Sequence, residues 1–572
     1  MPENDVQISS TEEEISDAEF EQMLSGRKGF RDKIANAPDG GNLLVELRKK
    51  KELEEKKRQE DLGRQTEIQK REDELKMNEV KVKAMQLELQ KQEVLKKVEE
   101  KEVVNLAKPE TSVEPEIKKQ PIVAPEPVIK LKVEPVIAPI VETITEIKTL
   151  VVKKQQTDDR LLSIPAGVNG EFQFPQGFLW GTSTSAYQIE GGIRNDWSEW
   201  EKSKKRSKFL EKQHLNKEDY ISNSACDSWN RYAEDFDLAK SLGTNSIRFG
   251  IEWARIETGN DVWDVEAIKK YREMLHSAHK KGFKIALTIW HWTNPVWFTE
   301  EGGWAGKNAV NYFERFSAFV VKEFGGYVDY WITLNEPMVH VVNGYMSGKF
   351  PPNRHNIFKA RKVFNNLVKG HKRAYKAIHK LYPEAKVGIT GLINDFEPAI
   401  KFGPLNILIA KTFHYFWNHR FLRRIRKYMD YVGVDYYFHD RIVCYPPFRK
   451  NKGERVTDMG WEIYPKGIYH VLKYLKKFKK PIIIMENGLA DEADKYRASF
   501  IKEHLYWVHR AIQDGVDVRG YFHWSLLDNF EWAAGFVPKF GLIAVDRKTF
   551  VRTIKNSAYV YRDICKENKL VL

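Results

Sequence analysis

The sequence predicts an α/β fold, a (β/α)8 TIM barrel, preceded by a long charged N-terminal extension that is partly helical and partly disordered. Three observations predict it. Hydrophobic residues make up 42% of the 572 residues, a globular proportion. Yet the mean hydropathy is −0.55, so an ordinary domain must be joined to a very polar segment. Nearly all of the 16 Trp, 24 Tyr and 31 Phe fall after Phe172. There, eight short apolar runs alternate with longer amphipathic stretches, the pattern of repeated parallel βαβ units.

Residues 1–42 are acidic, then Gly- and Asn-containing near Asp39 to Asn42, and read as disordered. Residues 43–106 are rich in Glu, Lys, Gln and Leu and lack Pro, a helical composition. Ile68, Leu75, Val82 and Leu89 recur every seven residues, one seam of a coiled coil. The alternate seam holds Arg71, Glu72, Asn78 and Glu79, with only Met85 apolar. A solvated helical arm and a homo-oligomerising or partner-binding coiled coil both fit. Residues 107–165 repeat phrases such as VEPEIKK and APEPVIK, in which Pro excludes regular helix and leaves an extended linker.

The barrel is expected over residues 166–572. Its strands are FLWGTSTSAY, SIRFGIEW, ALTIWHW, YWITLNEP, VGITGLI, YVGVDYY, IIIMENG and YFHWSLLD, and its helices include NAVNYFERFSAFVVKEF and KGIYHVLKYLKKF.

The net charge is +13, but 80 acidic residues accompany 93 basic ones, so a mixed, solvated surface is expected and no nucleic-acid signature appears. Cys226, Cys444 and Cys565 are too few for a disulfide framework. With no signal-peptide pattern and no run of about 20 apolar residues, the expected location is cytoplasmic, without a membrane span.

In a (β/α)8 barrel, polar residues that close the strands are the functional candidates. YWITLNEP closes on Asn335 and Glu336, and IIIMENG on Glu486 and Asn487. A salt bridge or a helix cap explains either Glu alone. Two carboxylates at strand ends, among so many aromatic rings, fit better the paired acids of glycoside hydrolysis, where one protonates the leaving oxygen and the other attacks carbon or activates water.

The region from Phe172 to the C-terminus resembles glycoside hydrolase family 1, the β-glucosidase and β-galactosidase family. FLWGTSTSAYQIEGG, SIRFGIEWARIE, TIWHW, TLNEP, VDYY, MENG and WSLLDNFEWAAGF occur in the family's order. The resemblance implies Glu486 as nucleophile and Glu336 as acid/base. Asn335 would bind the sugar 2-hydroxyl, Arg248 would sit beside the nucleophile, and Tyr437 would hydrogen-bond it. Gln188, His291, Trp292, Glu531 and Trp532 would bind the sugar, with Trp524 as its platform. No cofactor and no metal are implied. His340, His371 and His523 receive no role.

The implied reaction is retaining, through double displacement, with the two carboxyl groups roughly 5 Å apart. Glu531 and Glu336 are both kept, which favours an unphosphorylated O-glycoside, a small β-glycoside or oligosaccharide. Asp435 stands where the family usually has Asn, and Lys539 where it has Arg. The spans from Glu336 to Asp435 and on to Glu486 look short, which implies an open aglycone side. A transglycosidase with the same residues and a non-catalytic sugar-binding barrel are the alternatives.

Overall fold

A computed structural model describes residues 163–572 apart from 166, 452 and 454. The extension, with its coiled-coil seam, lies outside these residues. Eight parallel strands form the core: β1 (Leu179–Ser183), β2 (Ser246–Gly250), β3 (Lys284–Thr288), β4 (Tyr330–Ile332), β5 (Lys386–Gly388, then Thr390–Leu392), β6 (Val432–Asp435), β7 (Ile482–Asn487) and β8 (Val518–Trp524). Each pairs in parallel with its neighbours, and β8 pairs with β1. The sheet ends on the two halves of β5, which are separated only by Ile389, so the barrel closes on itself. A closed barrel leaves no open edge.

The strands are buried on both faces, as β1, β2 and β7 show along their whole length. Leu179, Ala286, Ile332, Ile483, Met485 and Phe522 form a packed cluster drawn from five strands. At Gly181 an added Cβ would fall 2.3 Å from the Phe522 ring, so only Gly lets β8 pack there.

Four helices matter below: α1 (Ala309–Phe324), α2 (Pro337–Tyr345), α3 (Ile357–Leu381) and α4 (Pro404–His414). In α1, Phe313, Phe316, Val320 and Phe324 recur at helical spacing and are buried, the usual inward stripe. Glu171–Gln173 pairs antiparallel with Lys569–Val571, tying the two ends of the described region together. Cys226, Cys444 and Cys565 are free thiols. No helix among the described residues is long and apolar enough to cross a membrane.

Candidate active site

The strand ends converge. Arg248, on β2, is fully buried and spends its donors on β3, on β7 and on the segment just past β4. Its Nη1 donates to Glu486 Oε1 at 2.6 Å and to the Met485 carbonyl at 3.3 Å. Its Nε donates to Thr288 Oγ1 at 3.2 Å, and its Nη2 donates to Asn335 Oδ1. The Tyr437 hydroxyl donates to Glu486 Oε2 at 2.7 Å. Glu486 therefore has one strong donor on each oxygen.

Glu336 is held differently. It lies four residues past β4, at the N-cap position of α2, with φ +40°. Its side chain makes no capping bond. One carboxyl oxygen each from Glu336, Asp435 and Glu486 lies within 4.8 Å of the others. Burial, and then the charges of Asp435 and Glu486, push the Glu336 carboxyl well above the usual carboxylate range.

Asp435, noted in the sequence for standing where the family has Asn, proves to be a neighbour of Glu336 as well as of Glu486. It pairs with Glu486 across β6 and β7, beside a register shift that bends the ladder. It is fully buried, its oxygens accept no well-formed hydrogen bond, and the Thr390 hydroxyl beside it donates to Asn335 instead. Arg248 Nη1 stands 3.9 Å away. The Glu336 carboxyl is also in reach, a contact that becomes a hydrogen bond once one of the two carries a proton. Burial, then Glu486, push Asp435 well up too. Three buried carboxyls against one guanidinium cannot all ionise cheaply, so the cluster retains a proton. The three oxygens are also spaced like a cation site. Sequence spacing could not reveal that grouping, because its members come from three separate strands. Arg248 already touches two of the three acids and supplies the charge a cation would bring.

The remaining candidates assemble around this group. Asn335 Oδ1 accepts from Arg248 and from Thr390 Oγ1 at 2.6 Å, so its amide faces the other way. That amide lies 2.9 Å from His291 Nε2. An amide donor makes Nε2 an acceptor and puts the His291 proton on Nδ1, which has no partner. Burial and Arg248 hold His291 well below the usual histidine range, so it is neutral. The ring stacks on Trp532 at 5.5 Å and lies 6.2 Å from Trp524. Trp292 donates to the Asn335 carbonyl at 3.1 Å.

Gln188 donates to Asn529 and Phe530, and at 3.3 Å to Glu531. Burial, then Glu486, push Glu531 up to about 8, against hydrogen bonds from Trp524 and Gln188. At Gly488 an added Cβ would sit 1.7 Å from the Trp524 carbonyl oxygen, which explains the Gly of MENG. All eleven candidates thus gather at one end of the barrel.

The sequence profile of glycosyl hydrolase family 1 matches residues 171–434 and 422–570. This chain belongs to glycosyl hydrolase family 1. It is an O-glycosyl hydrolase by that membership. A 1,4-beta-D-glucan glucohydrolase of Thermotoga neapolitana is 33% identical over 70% of this chain and 99% of its own length. A beta-galactosidase of Sulfolobus acidocaldarius is 31% identical over 69% of this chain and 95% of its own. Among solved structures, a beta-glycosidase from Pyrococcus horikoshii superposes with TM-score 0.64 at 37% identity, over 70% of this chain and 96% of its own. The Thermotoga maritima beta-glucosidase in complex with glucoimidazole superposes with TM-score 0.64 at 31% identity, over 69% and 99%.

Within this family member, two supporting residues escaped the sequence reading. Thr288 and Thr390 orient Arg248 and Asn335. Each sits among apolar strand residues, and polarity at those positions was the available signal. Asp435 was noticed only as a departure from Asn. His371 bonds Thr333 and the Tyr428 carbonyl, a structural role. Lys539 likewise donates to the Phe536 carbonyl at 2.8 Å.

Proposed function

We propose that this chain is a retaining β-glycosidase of β-glucosidase type, acting by double displacement on terminal, unphosphorylated β-glycosyl residues. The observation that carries the reading is the Glu336 to Glu486 oxygen separation, within 4.8 Å. Inverting enzymes need a gap of about 6.5–9.5 Å to admit water between the carboxyls, whereas retaining ones need about 5–5.5 Å.

Glu486, bonded by Arg248 and Tyr437, attacks the anomeric carbon. Glu336 carries a proton because of its neighbours and gives it to the departing oxygen. Esterification then removes the Glu486 charge. The Glu336 carboxylate, now free of that charge, takes a proton from water as the water oxygen attacks the anomeric carbon and the ester bond to Glu486 breaks, releasing the sugar and the Glu486 carboxylate. Asn335, with its amide hydrogens turned away from Arg248, donates to the 2-hydroxyl, and the unpartnered His291 Nδ1–H offers a second hydroxyl its donor. Glu531 and Gln188 bind further hydroxyls, and Trp524 receives the apolar sugar face.

Because Glu531 is pushed up to about 8, it is largely an acid at neutral pH. Preference for an unphosphorylated sugar then rests on Gln188 and Trp524 as its partners, with no cation among them. Names of the relatives include both glucan glucohydrolase and beta-galactosidase, and glucose is the glycone favoured here. The sparse cysteines go with cytoplasmic placement.

The test is a panel of aryl β-glucosides, galactosides, mannosides and fucosides with product stereochemistry. Retained configuration is expected, with glucoside preferred; inversion would overturn the mechanism. No turnover at all would favour a sugar-binding barrel, and sugar-sugar products a transglycosidase. Residues 1–160 are proposed to act outside catalysis. Their deletion should leave kcat/KM within about twofold, and loss of folded enzyme would make the extension part of the fold.

A further inference from the structure

The helix α4 is built inside out. The residues it buries are Asn406 and Ala410. Its Leu405 and Leu408 are 55% and 60% exposed, Phe413 is also exposed, and Phe402 just before it is 92% exposed. Ile400, Tyr415 and Phe416 extend the exposed apolar set on either side. Phe413 meets Phe396 at 5.9 Å and Phe448 at 6.4 Å. Exposed Tyr445 and Phe448, from the segment after β6, thereby join the same patch. An apolar surface of this size is uncommon on a protein that meets only water.

The segment that carries most of this surface is one-sided in charge, and the acids at its border, Asp395, Glu397 and Asp440, are paired with His470, Arg441 and Arg449 respectively. Residues 398–429 contain no Asp or Glu, but hold Lys401, Lys411, Arg420, Arg423, Arg424, Arg426 and Lys427. The mixed charge of the whole chain is therefore locally segregated. The Arg423 guanidinium lies 5.9 Å from the Tyr415 ring, and that of Arg420 lies 5.5 Å from Phe416. Basic heads beside exposed aromatic rings, along a helix with an outward apolar face, match an element that lies in a membrane interface. The patch grows from the segments that follow β5 and β6, the barrel end that carries Glu336 and Glu486.

We propose that this patch docks the enzyme on a lipid bilayer rich in anionic headgroups, with Phe402, Leu405 and Leu408 entering the acyl boundary and Lys411 and Arg423 meeting the headgroups. The charge pattern selects lipid over a second copy of the chain, because two such surfaces would repel. Docking is peripheral, since no described helix can span.

The test is flotation of the full-length chain with phosphatidylglycerol-containing vesicles, with phosphatidylcholine vesicles in parallel. Wild type is expected to float with the anionic vesicles, several-fold less with neutral ones, and several-fold less in high salt. The triple variant Phe402→Ser, Leu405→Ser, Leu408→Ser should reduce partitioning by about tenfold or more. Lys411→Glu with Arg423→Glu should abolish the preference for anionic vesicles. Turnover of a soluble aryl glycoside should be unchanged in both variants, which shows that they fold. Wild type that never floats overturns the proposal. So does flotation that survives the triple variant but disappears on deleting residues 1–160, which would assign binding to the extension. A triple variant that only changes oligomeric state, by sedimentation velocity, would assign the patch to self-association.

Discussion

Glu486 and Glu336 lie within 4.8 Å of each other yet are held in opposite ways. Glu486 is part of a strand, with Arg248 on one oxygen and Tyr437 on the other. Glu336 stands beyond its strand on left-handed backbone, without a capping bond, facing two other acids. The same side chain is thus given an anion's surroundings in one place and an acid's in the other. The proposed division of labour between the two would come from what surrounds them.

The comparison can be broken most severely at Glu486. Glu486→Ala should lower kcat/KM on an aryl β-glucoside by at least ~10⁴-fold. Azide should restore turnover as the α-glycosyl azide, and a β-azide would reverse the assignment of the two acids. Glu336→Gln should cost about 10²–10⁴-fold with a poor leaving group, and far less for release of dinitrophenol, which needs no proton. Equal losses for both leaving groups would deny Glu336 the acid's role.

A smaller effect sharpens the contrast. Tyr437→Phe removes one donor from a charged acceptor and should cost roughly 10–100-fold in kcat, with the glycosylation step the more affected. The smallest concerns Asp435→Asn, with peak kcat/KM expected to stay within about tenfold. Asp435 as a negative neighbour raises the Glu336 carboxyl. Without that charge Glu336 loses its proton at lower pH, so the basic limb of the pH profile should move toward acid. A basic limb that stays in place would show that Asp435 is uncharged throughout.

The sequence made the barrel legible because each strand is an apolar run closed by polar residues. YWITLNEP and IIIMENG announce themselves in this way, since a carboxylate seldom ends a buried strand without a task. Arg248 in SIRFG and Tyr437 in VDYY became readable through the family's motif order. What stayed hidden depends on contacts between strands. Thr288 and Thr390 matter only because Arg248 and Asn335 reach them. The proximity of Asp435 to Glu336 requires β4 and β6 to meet at one mouth. The outward face of α4 was equally unreadable, because LNILIAKTF has the periodicity of a helix that packs inward.

Gly488 carries a last consequence. With the Trp524 carbonyl 1.7 Å from where a Cβ would be, β7 and β8 touch backbone to backbone one residue past Asn487. Glu486, the proposed nucleophile, and Trp524, the proposed floor beneath the sugar, are therefore one mechanical part. Neither can drift to suit a different sugar without carrying the other along. On the proposed roles, new specificities would arise in the outer loops, while Trp524 and the Glu486 carboxylate are inherited together.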